Sequence, residues 1–379
     1  MKIALVRGPY VNRFELQNWE PLTRVHQVKV FYPNNNFFDV SDIELSKEQV
    51  LTYESFLGKT ASNYLRVLWH FPFGYYHGIP SLVKKLEGFD IVHGAETFYV
   101  FDRQIIRAKR KYGCAAVFTV WENIPFAHES RPFMRRAKSE VLKGADLFVA
   151  MSERSKIALM LEGVDESRIS LIPVGVDITR FRPGEKDGLL LKQMNMYNDD
   201  FVVSFIGRLT YEKGVFELIN AFALFAQNRQ NVRLLMVGDG PLRDTIEKRI
   251  SRLGIEKQVK LATFPYSQMP KVHRLADVLV LPSIPTREWQ EQFGMVLVEA
   301  MSTGVPIVTT MSGSIQEVVQ DAAYLIQPGD TLALFKALKE LEQNEGLREE
   351  LIAKGLRRSR TFDRELVSRR LQDAYQELV

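Results

Sequence analysis

The stretch FVVSFIGRLTYEKG, residues 201–214, decides the fold class. Its first six residues form an apolar run rich in β-branched side chains, which predicts a buried strand that ends at Gly207. A helical pattern begins after Gly214, so strand, turn and helix follow one another as in a parallel α/β unit. Arg208 and Lys213 therefore fall at the carboxyl end of the strand, where ligands bind in open α/β sheets.

The same alternation of strand and helix runs through the whole chain in two series. The strands predicted in the first half are 2–7, 28–32, 90–92, 115–120, 146–150 and 169–173. Those predicted in the second half are 201–206, 233–237, 259–262, 278–282 and 306–309. Continuous apolar strands separated by helices indicate parallel sheets covered on both faces, so the chain is predicted to be α/β with two doubly wound domains.

The length of 379 residues also favours two domains, because a single core usually stops growing at about 250–300 residues. Residues 173–184 have turn chemistry and no periodicity, and they mark the break. We therefore predict an N-terminal domain over residues 1–180 and a C-terminal domain over residues 195–361. Apolar side chains recur at helical spacing in residues 362–379, which predicts either an ordinary terminal helix or one that crosses back to the first domain.

Composition excludes several classes of protein. The net charge of +4 is small for this length and argues against a dedicated nucleic-acid binder. The single cysteine, Cys114, excludes a disulfide framework within the chain, and the histidines show no metal-binding spacing. The chain shows neither a signal-peptide core nor an apolar run long enough for a membrane helix, so the expected location is the cytoplasm.

Three linked motifs occupy the second half. In the first, Arg208 and Lys213 suit a pyrophosphate, and Gly207 lets the backbone approach it closely; two solvated charges on a loop are the alternative. The second is VGDGP, residues 237–241, which forms a turn at a strand end and by itself decides nothing.

The third motif is EQFGMVLVEAMSTG, residues 291–304. A helix is predicted to begin near Phe293 and Gly294 and to end at Gly304, so that the first backbone N–H groups point at an anion. Glu291 and Glu299 are eight residues apart and fall roughly on one side of such a helix. The alternative is a surface helix with two glutamates, but Glu299 stands in an apolar run, where a carboxylate is costly unless it is paired.

These motifs resemble the donor site of the retaining GT-B glycosyltransferases of family four. The resemblance is specific over residues 201–330, where the later segment TTMSGSIQEVV, residues 309–319, also fits. It implies two Rossmann-like domains that face a cleft. It also implies transfer of a sugar with retention from a UDP- or GDP-sugar, which is a substrate, without a metal or other cofactor.

The resemblance further implies a role for each residue of the donor site. Arg208 and Lys213 bind the diphosphate, and the backbone at Phe293, Gly294 and Met295 caps its distal phosphate. Glu299 accepts hydrogen bonds from the ribose, and Glu291 contacts sugar hydroxyls near the anomeric carbon. The base falls against the segment 263–265, which includes Phe264. The predicted donor-binding residues are Gly207, Arg208, Lys213, Phe264, Glu291, Phe293, Gly294, Met295 and Glu299, of which Glu291, Arg208 and Lys213 are catalytic.

The first half departs from the family pattern in two places. Many relatives carry a histidine near the transferred sugar, just after the fourth strand of the first domain, and here Trp121 stands in its place. Glu122 or Asn123 replaces its polar contact, or His93 or His128 approaches from a neighbouring loop. The glycine-rich loop of the family is also reduced, to residues 7–9.

The acceptor is predicted from two stretches of the first half. Residues 64–76 are dense in aromatic side chains, and residues 103–143 contain ten Lys or Arg against three Glu. A basic amphipathic segment suits an anionic membrane surface, so we expect a lipid-linked acceptor and peripheral membrane association; a soluble sugar acceptor is the alternative. Two other functions stay open, a nucleotide-sugar epimerase of GT-B fold and a non-catalytic partner subunit that binds the nucleotide sugar.

Overall fold

The computed structural model describes residues 1–52 and 78–379. The aromatic-rich stretch 64–76 lies outside the described residues. The chain divides into two compact units, the first formed by Met1–Gly175 with Arg364–Val379 and the second by Val176–Asp363. The boundary thus falls at Gly175, before the predicted end at residue 180, and the segment between the two predicted domains belongs to the second unit.

The first unit contains a parallel sheet of seven strands in the order β3-β2-β1-β4-β5-β6-β7. The strands are β1 Lys2–Val6, β2 Gln27–Pro33, β3 Ser46–Val50, β4 Ile91–Ala95, β5 Ala115–Val120, β6 Leu147–Ala150 and β7 Ile169–Leu171. The central strands are buried almost throughout because helices cover both faces of such a sheet.

The strand β3 was not predicted from the sequence. Its residues, SKEQV, lie at the edge of the sheet, and four of the five side chains are partly or fully exposed. An edge strand pairs on one side only and needs no apolar run, so the pattern that identifies buried strands is missing. The strand that precedes Trp121 is consequently the fifth of the sequence and not the fourth.

Six helices of the first unit lie in the described residues. They are α1 Arg13–Leu16, α2 Leu82–Lys85, α3 Val100–Tyr112, α4 Pro132–Gly144, α5 Glu153–Leu161 and the terminal helix α14 Arg364–Gln376. The terminal helix buries Val367, Leu371 and Tyr375. The Tyr375 hydroxyl accepts a hydrogen bond of 2.9 Å from Trp19 Nε1, which ties the helix to the core of the first unit.

The second unit contains a parallel sheet of six strands in the order β10-β9-β8-β11-β12-β13. The strands are β8 Phe201–Ile206, β9 Val232–Val237, β10 Val259–Ala262, β11 Val278–Leu281, β12 Ile307–Thr310 and β13 Tyr324–Ile326. Its helices are α6 Gly188–Gln193, α7 Val215–Phe225, α8 Arg243–Leu253, α9 Met269–His273, α10 Met295–Thr303, α11 Ile315–Val319, α12 Thr331–Gln343 and α13 Glu345–Ser359. The prediction of two doubly wound α/β domains is confirmed; the cleft between them stays a prediction.

Two short elements of this unit were not predicted from the sequence. The strand β13 has three residues and lies at the sheet edge, which is too short for a periodic signal. The helix α6 begins at an Asp187 side chain that accepts backbone N–H bonds from Leu189 and Leu190, and this cap stabilises a helix in the segment between the two predicted domains. In the described part of the chain, no helix is both long and apolar enough to cross a membrane.

Candidate functional site

The first two motifs of the second unit pack on each other at the carboxyl ends of β8 and β9. A Cβ on Gly238, whose φ is +140°, would lie 2.0 Å from the carbonyl oxygen of Gly207. The N–H of Leu209 donates to the Asp239 carbonyl over 2.9 Å. Glycine is therefore required at 238 by the close approach of two backbones, and the VGDGP turn fixes the course of the chain from Gly207 to Arg208.

Lys213 and Glu291 form a buried ion pair. Lys213 Nζ lies 2.7 Å from Glu291 Oε2, and the two side chains are 13% and 8% exposed. Ser283 Oγ donates to the same oxygen over 2.7 Å, and the Lys213 ammonium lies 4.8 Å from the centre of the Trp289 ring. Lys213 and Glu291 are 78 residues apart in sequence, so the fold itself brings together the first and third predicted motifs.

Backbone contacts fix both members of this pair. Gly214 has a φ of +65°, and a Cβ there would lie 2.0 Å from the Pro282 carbonyl oxygen at the end of β11. Gly313, with a φ of +55°, approaches the Glu291 carbonyl oxygen equally closely. Each glycine allows a contact that a side chain would block, and neither Lys213 nor Glu291 is on a freely moving loop.

The helix α10 begins and ends as predicted. Gly294 precedes its first residue, Met295, with a φ of +81°, and Gly304 caps its end with a φ of +72°. Phe293 is buried and meets the Phe362 ring edge-on, with ring centres 5.6 Å apart. A nine-residue helix leaves its first N–H groups without partners inside the helix, so this end is suited to an anion. Glu291 lies before the helix and not on it, so the two predicted glutamates are not on one helical face.

Glu299 is 5% exposed, and the structure supplies the partners that its apolar surroundings demanded. Tyr266 donates its hydroxyl hydrogen to Glu299 Oε1 over 2.9 Å. His273 Nε2 lies 3.2 Å from Glu299 Oε2. Neither residue was predicted, because a single histidine in a helical pattern gives no signal; only the demand for a partner to Glu299 pointed to them.

Two predicted donor residues are more open. The Arg208 side chain is 65% exposed, and its guanidinium lies 3.4 Å from Glu212 at its nearest. Phe264 is half-buried, in the segment between β10 and the turn Tyr266–Gln268. The structure therefore brings Lys213 and Glu291 into contact, and it places Arg208 on the solvent side of the same strand end.

A pair of glutamates marks the carboxyl ends of β4 and β5 in the first unit. Glu96 follows β4 with a φ of +63°, and its Oε1 accepts a hydrogen bond of 3.1 Å from the Trp121 N–H. Burial, together with the negative charge of Glu122, raises the pKa of Glu96 to about 8. The left-handed backbone at a non-glycine residue is strained and typical of functional sites. Glu96 was not predicted from the sequence, since a lone glutamate after a short strand carries no pattern.

The remaining acceptor-side candidates lie on the loop after β5. Glu122 Oε1 accepts from the N–H groups of Asn123 and Ile124, and its Oε2 lies 3.2 Å from His128 Nε2. His128 has a φ of +63° and stacks on Phe98, with ring centres 4.1 Å apart. Trp121 is half-buried and Asn123 is buried. Glu122 and His128 are thus in contact, whereas Trp121 approaches Glu96 with its backbone.

The structure places His93 away from any accessible surface. Its ring is fully buried, Nδ1 contacts the Tyr375 hydroxyl, and Nε2 lies 2.8 Å from Thr119 Oγ1. Burial, with a smaller effect of the positive charge of Arg7, lowers the pKa of His93 well below its ordinary value. The expectation that His93 approaches an acceptor from a neighbouring loop is wrong, because both ring nitrogens bond within the core.

Two family models match consecutive parts of the chain. The model for glycosyl transferases group 1 covers residues 189–358, and the model for glycosyltransferase family 4 covers residues 22–180. The two matches together span most of the chain and support the resemblance to the group 1 glycosyltransferases. An uncharacterized glycosyltransferase of Methanocaldococcus jannaschii is 33% identical over 34% of this chain and 32% of that protein. A D-inositol 3-phosphate glycosyltransferase of Nocardia farcinica is 30% identical over 49% of this chain and 42% of that protein. The chain spans less than half the length of these two relatives.

Solved structures match the fold over the whole chain. HepE of Anabaena in complex with UDP-glucose is 22% identical, with a TM-score of 0.78 and full coverage of both chains. Sucrose-phosphate synthase of Thermosynechococcus elongatus is 19% identical, with a TM-score of 0.74 and coverage of 100% and 99%. At this level of identity the likeness establishes the GT-B fold.

Proposed function

We propose that the protein is a retaining glycosyltransferase that moves a sugar from a nucleoside diphosphate sugar to a hydroxyl acceptor. The observation that carries this proposal is the buried contact of Lys213 Nζ with Glu291 Oε2, just before the amino end of α10. A cation for a diphosphate and a carboxylate for sugar hydroxyls are adjacent, and the helix end offers backbone N–H groups to the distal phosphate.

In the proposed reaction the bond between the anomeric carbon and the diphosphate oxygen breaks, and its electron pair leaves on the diphosphate. Lys213 and Arg208 stabilise that growing negative charge. A lysine ammonium has three N–H groups, and the one that bonds to Glu291 leaves two for phosphate oxygens. The acceptor oxygen forms its bond on the face that the diphosphate leaves, and its proton passes to the departing diphosphate, so no covalent enzyme intermediate forms.

We propose a UDP- or GDP-sugar as the donor and neither a metal nor a cofactor in the reaction. Support for UDP comes from the related fold of HepE, which is solved with UDP and with UDP-glucose. Support for metal-independent transfer comes from Lys213 and Arg208, which supply the positive charge that a diphosphate leaving group requires.

Thermal unfolding with a panel of UDP- and GDP-sugars identifies the donor. A ligand at a hundred times its dissociation constant stabilises the folded state by about 2.7 kcal/mol. The donor that binds is then incubated with the protein, and release of nucleoside diphosphate is followed with and without EDTA. A transferase releases the diphosphate slowly even into water and is insensitive to EDTA; an epimerase changes the sugar without lasting release, and a non-catalytic partner subunit binds without turnover.

We also propose a lipid-linked acceptor and peripheral association with an anionic membrane. The support is the helix α4 and the residue before it, where Arg131, Arg135, Arg136 and Lys143 are exposed. Lys138 of the same basic stretch is buried, 2.5 Å from Glu162, and takes no part in that surface. Basic side chains near an anionic membrane contribute about 1 kcal/mol each.

Co-sedimentation with phosphatidylserine vesicles tests the membrane proposal. We expect binding at low salt that is lost when Arg131, Arg135 and Arg136 are all replaced by Glu, with Lys186→Glu as a control. Lys186 is a basic residue of the second unit that pairs with Asp277. Absence of binding by the unmodified protein at low salt contradicts peripheral association but leaves the transferase proposal standing.

A further inference from the structure

Glu299 has hydrogen-bonding capacity left after its contacts with the protein. An ionised carboxylate offers about four lone-pair positions, two on each oxygen. Within the described residues, Tyr266 takes one position on Oε1 and His273 takes one on Oε2. One acceptor position therefore remains on each oxygen.

His273 serves Glu299 and has no second polar contact in the described part of the chain. Its ring is fully buried and meets Phe181 edge-on, with ring centres 5.7 Å apart. Its Nδ1 atom is buried and makes no hydrogen bond to a described residue. Because a carboxylate only accepts, Nε2 carries the hydrogen of this bond.

Tyr266 holds the other oxygen from a different side. It begins the short turn Tyr266–Gln268, just after the segment predicted to hold the base. Its ring lies 5.8 Å from that of Phe181, and the Arg180 guanidinium lies 5.6 Å from its centre. Phe181, which is fully buried, thus packs against both rings that bond to Glu299.

We propose that Tyr266 and His273 are positioning residues that fix the Glu299 carboxylate so that its two remaining acceptor positions match the 2′- and 3′-hydroxyls of a ribonucleotide. The inference rests on the proposed function, in which Glu299 binds the ribose. Two neighbouring hydroxyls on one face of a five-membered ring are paired donors, and a carboxylate held at both oxygens is their fixed counterpart. The site then selects ribonucleotides by the sugar ring rather than by the base.

The physical effect is preorganisation. A glutamate side chain that is not held loses rotamer freedom when it binds a ligand, and this cost lowers the affinity. Hydrogen bonds from Tyr266 and His273 fix the Glu299 rotamer when the protein folds, so this loss of rotamer freedom does not occur on ligand binding. Removing either bond weakens only those ligands that use Glu299, and this separates positioning from a general role in stability.

The test measures dissociation constants by calorimetry for UDP and GDP and for their 2′,3′-dideoxy forms, with the full chain. Tyr266→Phe and His273→Phe each remove one bond and keep a ring of similar size against Phe181. For whichever ribonucleotide binds, we expect each variant to weaken binding about three- to tenfold. The affinity for the dideoxy form should change by less than about twofold, because that form has no 2′- and 3′-hydroxyls to donate to Glu299.

A matched control is available in the same unit. Tyr324 donates its hydroxyl to Glu340 over 2.9 Å at the surface, so Tyr324→Phe removes the same type of bond away from the site. We expect no change in nucleotide affinity. In a Glu299→Gln background, Tyr266→Phe and His273→Phe should have no further effect on ribonucleotide affinity, because the group through which they act is gone.

The outcomes separate the inference from the proposed function. Equal weakening of the ribose and dideoxy forms, or no weakening at all, overturns the positioning role while nucleotide binding stands. If the unmodified protein binds neither UDP nor GDP, the proposed function is overturned and the inference with it. If His273→Phe does not fold, Tyr266→Phe decides the question, since it deletes a single oxygen atom.

Discussion

Both sheets have glutamates near the carboxyl ends of their strands, and the protein holds these glutamates in different ways. At the carboxyl edge of the second sheet, Glu291 pairs with Lys213, and Glu299 accepts hydrogen bonds from Tyr266. At the carboxyl edge of the first sheet, Glu96 lies beside another carboxyl group, that of Glu122, and its pKa is raised to about 8.

The proposed function explains this difference, because the donor and acceptor sides of a sugar transfer have different electrostatic requirements. A donor site must bind the negative charges of a diphosphate, so it needs cations. Its carboxylates must already be paired with a cation or with hydrogen-bond donors of the protein. The first sheet edge has two half-buried carboxyl groups near each other, of which Glu96 holds a proton at neutral pH, together with strained backbone at Glu96 and His128. Such an edge is kept at a cost in stability, which is typical of a functional site.

The largest expected effect comes from removing the cation of the second unit. Lys213→Ala deletes the charge beside Glu291 and should lower kcat by about 10²- to 10³-fold, measured as release of nucleoside diphosphate from the donor. Lys354→Ala is the control, because Lys354 also forms ion pairs, with Glu350 and Asp321, but belongs to none of the predicted motifs. We expect this variant to keep full activity. A loss of less than about threefold for Lys213→Ala contradicts a role for this lysine in leaving-group stabilisation.

A smaller effect is expected from the first sheet edge, and it depends on pH. The folded pKa of Glu96, about 8, exceeds its ordinary value of 4.5, so between these pH values the folded protein binds a proton that the unfolded chain does not. Stability therefore falls as pH rises through this window. Glu96→Gln removes the titration and should raise the free energy of unfolding, relative to the parent, by about 1–3 kcal/mol more at pH 9 than at pH 4.

Urea unfolding of both proteins at pH 4 and pH 9 measures this difference, and the effects of titratable groups that do not interact with Glu96 cancel in the comparison. Leu189→Ala, which replaces an exposed residue with no titratable group, serves as the control and should show no pH-dependent difference. If the gap between parent and Glu96→Gln is the same at both pH values, Glu96 does not carry a proton in the folded protein.

The smallest effect is expected from the exposed cation of the proposed donor site. Arg208 is open to solvent, in contrast to Lys213, so its charge is screened by water. Arg208→Lys keeps the charge but loses the forked pair of N–H groups, and we expect kcat/KM to fall about three- to tenfold. A loss larger than that of Lys213→Ala would mean that the diphosphate is held mainly at the solvent side of β8.

Much of the second unit could be predicted because its candidate site residues lie in contiguous motifs. Gly294 and Gly304 bound α10 as their backbone freedom requires, and the apolar run around Glu299 correctly demanded a buried partner. The identity of that partner could not be read from the sequence. His273 is 26 residues from Glu299, and only the packing of α9 against α10 brings them together.

The first unit was less predictable for a related reason. His93 follows the pattern of a site residue at a strand end, yet Trp19 and Tyr375 enclose it, and Tyr375 lies 282 residues away. Glu96 has no motif, and its importance is visible only in its backbone angle and in the charge beside it. Long-range packing decides which polar residue faces the core and which faces a ligand, and local sequence patterns do not contain that information.

The most direct test of the account is turnover of the identified nucleotide sugar by the unmodified protein and by Glu291→Gln. The substitution keeps the size of the side chain and its bond to Ser283, but it removes the charge that pairs with Lys213. We predict slow release of nucleoside diphosphate by the parent and a decrease of at least about 10-fold in the variant. Equal turnover by the two proteins would contradict the assignment of Glu291 and its surroundings as the site of sugar transfer.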